Sequence, residues 1–364
     1  MLVYNQNDEL KYFMEQCWLT KRNDFPQSKS NIITDYQYIE DYLKKNYHTF
    51  VGLGASIAGD GVLTDHGEKH IQNVIHKAYK IIEDKKESFT GYELYILLLA
   101  IQFHDLGNIS GRKDHEQKII DIMNELKDNL PLDIAEQEFV AKIAMAHGGH
   151  VSNDVNDKNT LRTLEYETTC NERMISPVLL AAILRFADEL ADDYNRIIHN
   201  IKIPPGNQIF HEYSKSLEPI GFIGKTLIFR YRIPYEYTQI RFKKINRPVF
   251  LYDEILERLM KSLRELDYCS RYAKGYIDME TISVEIQVRD QENFNKILIN
   301  DFFKLSLAGY PKEEAFQLKD FIFIGNSTTT NSKIPKCLNG RELRNAMKKA
   351  NKRRIFRCPI HLQL

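Results

Sequence analysis

Residues 91–115 read GYELYILLLAIQFHDLGNISGRKDH. Up to Phe103 the stretch is apolar on nearly every side, which predicts a helix at the centre of a helical body rather than on its surface. At its end stand His104 and Asp105, and His115 follows ten residues after Asp105. His104 lies three residues after Ile101 and seven after Leu97, hence on the inner side of that helix. A buried imidazole or carboxylate must be hydrogen-bonded, ion-paired or metal-bound, because desolvating it without a partner is strongly unfavourable.

Polar groups on apolar faces recur outward from this stretch. HGEKHIQNVIHKAYKIIED (66–84) sets His70 four residues before Val74 on the apolar stripe, with His66 four before His70 on the same face. HEQKIIDIMNELKD (115–128) and LDIAEQEFVAKIAMAHGGH (132–150) follow with helical spacing, and in the second His147 comes four after Ile143. Gly148 and Gly149 supply the stop, leaving His150 just beyond. SPVLLAAILRFADELADDYNR (176–196) opens on Ser176 as N-cap with Pro177 in the first turn, and puts Asp188 four after Leu184. Seven of the eleven histidines fall between His66 and His150. His76, six after His70, reads as a helix-surface residue.

Helices that bring His, His-Asp, His and Asp to one interior satisfy these groups together if they hold one or two divalent transition ions. Imidazole with carboxylate suits manganese, iron, cobalt, nickel or zinc, whereas magnesium prefers oxygen alone. Few protein ligands per ion leave positions for water and substrate.

The order of these residues resembles the HD superfamily of metal-dependent phosphohydrolases over 66–193. The family's early His, His-Asp pair and late Asp are matched by His70, His104-Asp105 and Asp188, with gaps of 34 and 84 residues. The local strings HxxxV at His70 and RFADELADDYNR around Asp188 resemble it too. The resemblance implies a helical-bundle body, Asp105 bridging two ions, and His115 and His147 as ligands of the second. His66 and His150 are spare candidates for ligation. It further implies hydrolysis of a phosphate ester or anhydride, with Arg112, Lys113, Arg185 or Arg196 to meet the negative charge that develops at phosphorus.

The branch acting on cyclic dinucleotides carries Lys three after the paired Asp, where this chain has Asn108, and its only Gly-Tyr-Pro lies far downstream at 309–311. Cyclic-di-GMP specificity is therefore not expected. The segment 206–288 resembles the region after the HD body in proteins of bacterial conflict systems, which implies a nucleotide or nucleic-acid substrate in a defence setting. Two readings compete within the ligand set: a di-iron oxygenase, and a nucleotide sensor without turnover.

After KIPPGNQ (202–208) the period changes. KTLIFRYRI (225–233), YTQIRFKKI (237–245) and TISVEIQV (281–288) read as strands, and FLYDEILERLMKSLRELDYCSRYA (250–273) as an amphipathic helix. The predicted fold is mainly α: an HD-type helical bundle at 56–200, a helical extension at 1–55, an α+β C-terminal appendage at 201–290, and a C-terminal segment at 291–364 with a basic tail. Between Lys333 and Arg357 ten Lys or Arg stand against Glu342, an arm able to bind nucleic acid through its phosphates and so to serve a nuclease acting on single strands. The loop GNSTTTNS (325–332) lacks the G-K-[ST] ending of a phosphate loop.

Composition bounds the rest. With 43% hydrophobic and 27% charged residues the chain is globular, and 50 basic against 50 acidic side chains remove any global attraction to polyanions. Cys17, Cys170, Cys269, Cys337 and Cys358 are scattered and never spaced C-x-x-C, so they read as free thiols of a cytoplasmic protein. The apolar LYILLLAIQF is about half the roughly 20 residues a membrane span needs. No membrane partner is expected, and a homo-oligomer is left open.

Overall fold

The computed structural model describes residues 9–52, 64–151, 157–198, 202–244, 247–273, 275–306, 322–323, 337 and 339–355. The Gly-Tyr-Pro at 309–311 and the loop at 325–332 lie outside them. The described residues form ten α-helices and three small sheets, in two compact units: Met1–Ile203 with Arg264–Met279, and Pro204–Leu263 with Glu280–Leu364.

The first unit is helical. Its elements are α1 (Glu9–Thr20), α2 (Ile32–Leu43), α3 (Glu68–Ile82), α4 (Gly91–Phe103), α5 (Lys118–Leu126), α6 (Ile134–Met145) and α7 (Pro177–Leu190), plus a short hairpin of β1 (Thr168–Cys170) and β2 (Arg173–Ile175). All thirteen residues of α4 are buried, as its lack of a polar face predicts, and it packs against α1, α2, α3, α6 and α7. Its start is fixed by a capping box: the Glu93 amide donates to Thr90 Oγ1 and the Thr90 amide to Glu93 Oε2, both at 3.1 Å. Asp133 and Glu136 cap α6 in the same way.

Two local expectations are modified. Ser176 makes no side-chain cap on α7, which instead starts on Pro177 at its first turn. Helix α6 stops at Met145, three residues before the glycines, and the chain then turns through Gly149 at φ 73°.

The second unit is α+β. Its mixed sheet has the order β3-β4-β7-β8-β9, built from β3 (Gly221–Ile223), β4 (Thr226–Pro234), β7 (Thr281–Arg289), β8 (Ile297–Ser306) and β9 (Ile322–Phe323). Strands β4 and β7 are parallel, from Thr226↔Thr281 to Pro234↔Arg289, and a parallel pair needs a long crossover. That crossover contains the hairpin β5 (Arg241–Lys244)–β6 (Arg247–Phe250) and the long helix α9 (Leu251–Tyr272). Helix α8 (Gln208–Ser216) precedes the sheet and α10 (Gly340–Ile355) ends the described chain.

YTQIRFKKI does not become a strand of the main sheet. Its start forms a 3-10 turn at Tyr235–Thr238, and only Arg241–Lys244 is extended, paired with β6. Strand β8, not expected from the sequence, pairs antiparallel with β7. Asn300 and the buried Asp301 interrupt the apolar alternation that would have revealed it. No described helix is long and apolar enough to cross a membrane.

Candidate metal centre

One local device orients three of the site histidines. His104 follows the last residue of α4 and its Nδ1 donates to Ile101 O at 2.8 Å; His115 donates to Arg112 O at 3.1 Å; His147 donates to Ala144 O. Each acceptor lies three residues back along the chain. A carbonyl only accepts, so Nδ1 carries the proton and Nε2 of each ring is directed elsewhere, as in metal-binding histidines oriented from outside by a carbonyl.

All three Nε2 atoms are directed at Asp105. Its two carboxylate oxygens divide the imidazoles: Oδ2 lies 3.4 Å from Nε2 of both His70 and His104, while Oδ1 lies 3.4 Å from His115 Nε2 and 3.8 Å from His147 Nε2. Asp188 completes the first side, its Oδ1 3.0 Å from His70 Nε2 and 3.7 Å from His104 Nε2. Two groups able to hold an ion result: His70, His104, Asp105 and Asp188, and Asp105, His115 and His147.

The fit to cations rests on unsatisfied atoms. Nε2 of His70, His104 and His115 are buried, stand near carboxylate oxygens, and yet make no hydrogen bond. Groups in that condition are costly in a closed core and apt as ligands. The donors are nitrogen and oxygen with no thiol, which suits a divalent transition ion.

Charge is balanced tightly here. Burial would raise the Asp105 carboxyl, but His104, His66 and His115 hold it well below the usual range. Burial would likewise lower His104, but Asp105 and then Asp188 push it up to about 10. A cation bound to Nε2 would take that proton's place. His147 is lowered to about 4 by burial and by the neighbouring His104.

Outside the ligand groups, two side chains hold Asp105 itself. Asn108 Nδ2 donates to Oδ1 and His66 Nδ1 donates to Oδ2, both at 2.7 Å. Asn108 is 1% exposed and closes the turn after Asp105. In the sequence Asn108 stands out only as a departure from a relative's lysine; its place three residues along a turn is the signal that it can reach back. Glu116 was not singled out either. Burial would raise its carboxyl, but His115, 3.0 Å away, draws it down to about 2.

The other expected residues are placed as follows. His66 is buried beside Asp105 but belongs to neither ion-holding group, and its ring also meets Arg196 and Arg112. His150 is exposed, with Nδ1 near Val151 O, outside both groups. His76 pairs with Glu9 at 3.3 Å. Lys113 is exposed. Arg185, expected to meet phosphate, is instead buried in a fork with Glu265, Nε to Oε2 at 2.5 Å and Nη2 to Oε1 at 2.9 Å, while Nη1 donates to Lys158 O and Thr160 Oγ1. Its proximity to Asp188 in sequence gave no sign of this, because three residues on a helix turn a side chain's root but do not fix where a long guanidinium ends.

A family model described as HD-CE matches residues 61–238. No curated protein matches the sequence. The matched segment carries an HD-type domain whose buried His/Asp cluster is suited to divalent ions.

Proposed function

Starting from an HD-type domain, we propose that this protein hydrolyses a phosphate ester or anhydride bond in a nucleotide or nucleotide-like substrate, using one or two divalent transition ions. The observation that carries this reading is the sharing of Asp105 between two ion-holding groups, one on each carboxylate oxygen. Ions held there would supply an acidified water near neutral pH and a clamp for phosphoryl oxygens.

The chain's own residues do the rest. His70, His104 and Asp188 hold one side of Asp105 and His115 and His147 the other. Carbonyl acceptors fix three of the rings, so the donor set is organised before substrate arrives. A single-stranded nucleic acid is the second reading of the substrate, favoured by the exposed Arg341, Lys348 and Lys349 of α10.

Metal analysis of protein purified without chelator comes first, and one or two transition ions per chain are expected. A panel of nucleotides, cyclic dinucleotides and single-stranded DNA and RNA is then assayed for phosphate release or cleavage. Activity that survives the double change His104→Ala, Asp105→Ala would place the chemistry elsewhere. An oxygen-dependent product without phosphate release would favour the oxygenase.

A further inference from the structure

Residues before α3 and after α7 are joined by a reciprocal clamp: the Asp65 amide donates to Arg196 O at 2.8 Å, and Arg196 Nε donates to Asp65 O at 3.0 Å. The clamp fixes the Arg196 guanidinium against His66, with Nη2 2.7 Å from Nδ1 and 3.1 Å from Nε2. Asp105 is an acceptor only, so His66 Nδ1 must donate to it, and Nε2 is the atom that accepts from a guanidinium. Arg112 Nη1 approaches the same Nε2 at 3.3 Å.

Two permanent cations therefore meet at one nitrogen of a ring whose other nitrogen holds the carboxylate shared by both ion groups. A phosphoryl group placed between the two guanidiniums would offset their mutual repulsion. Arg196 is only 7% exposed, and its Nη1 lies 3.7 Å from Asp192 Oδ1. Arg112 is exposed, so the pair is open to solvent from that side. A planar fork of N–H donors matches phosphoryl oxygens in pairs.

We propose that Arg112 and Arg196 form a phosphoryl-oxygen subsite at the His66 edge of the centre, and that His66 is the positioning residue that fixes this subsite relative to Asp105. The proposal rests on the phosphohydrolase reading and names the groups that would receive the substrate's charge. Of the cations the sequence offered, it retains Arg112 and Arg196 and drops Arg185, whose fork is spent on Glu265. It also removes His66 from the ligands.

The test uses the full chain, stripped of metal or loaded with manganese, and inorganic phosphate as probe in a calorimetric titration. Wild-type protein is expected to bind phosphate in both forms, more tightly when loaded. Arg112→Met should weaken phosphate at least about tenfold in both forms with manganese stoichiometry unchanged. His66→Asn, whose amide can still donate from the place of Nδ1 but offers nothing at Nε2, should keep manganese affinity and lose phosphate affinity. His66→Ala should lose both, and a merely structural His66 would not split the two readouts.

Phosphate affinity unchanged in both Arg112→Met and Arg196→Lys overturns the proposal, as does phosphate binding seen only in loaded protein and indifferent to the arginines. Protein that takes up no manganese but still binds phosphate through the arginines would sink the metal-hydrolase reading and leave the subsite standing.

Discussion

Asp105 receives two outer hydrogen bonds, from Asn108 and His66, one on each oxygen that faces an ion group. Such partners set the direction of a ligand's lone pairs, and losing one typically lowers metal affinity about 10–100-fold. Asn108→Ala, which alters no ligand, is expected to do this in a competition titration against a chromophoric chelator. His48 offers a test of a different kind. It is 3% exposed, its Nε2 donates to Gln102 O at 2.9 Å, and burial lowers its pKa from 6.5 to about 4. Between those values the unfolded chain binds a proton that the folded chain refuses, so stability falls as pH drops from 6.5 towards about 4. The full loss is about 3 kcal/mol, converting each pH unit at ~1.4 kcal/mol. In urea denaturation of metal-stripped protein, His48→Gln should flatten that part of the pH dependence.

Turns and helix ties decide whether those residues meet. Gly107, in the turn between Asp105 and His115, leaves no room for a side chain, since a Cβ there would lie 1.8 Å from His115 O. Gly107→Ala must push the His115 backbone away while leaving α3, α4 and α7 in place. Metal analysis is expected to show loss of the ion held by His115 and His147, with the ion at His70, His104 and Asp188 retained. The tie between α7 and the last part of α9 is the buried Arg185–Glu265 pair, whose side chains are 4% and 11% exposed. Removing one partner of such a pair leaves an uncompensated charge and costs about 3–5 kcal/mol. Glu265→Ala should therefore lower the chemical-denaturation free energy by about that amount, and the apolar double change Arg185→Leu, Glu265→Leu should recover much of it. A large loss of phosphate affinity without loss of stability would instead restore Arg185 to the substrate.

For the whole molecule, every residue of both ion groups belongs to the helical unit, carried by α3, α7 and the turns after α4 and α6. An ion that bridges these segments binds the folded chain and not the unfolded one. Free manganese at 100 times its dissociation constant should add about 2.7 kcal/mol to stability, and chelator should remove it. A melting temperature indifferent to manganese, cobalt and nickel would contradict the ligand assignment. Helix α10, in the other unit, has its apolar side anchored through Leu343 and Met347, and Arg341, Lys348 and Lys349 stand exposed on the same helix.

The helical body, the inward direction of His70, His104, Asp105, His147 and Asp188, and the change to strands after residue 202 were written in the sequence, because periodicity records which side of an element faces the core. Those are local facts, carried by neighbours three or four residues apart. Periodicity does not record where a long or flexible group ends. Arg185 turned to Glu265, 80 residues away, Arg196 reached back 130 residues to His66, and Asn108 folded onto Asp105. Strand β8 likewise waited on β7, because Asp301 hid its alternation until a neighbouring strand defined its faces. Tertiary structure alone left His66 and His150 outside both groups able to hold an ion: each lies one short step in sequence from a member of those groups, and only the packing of α3 against α7 and the turn through Gly149 decide which way each ring is carried.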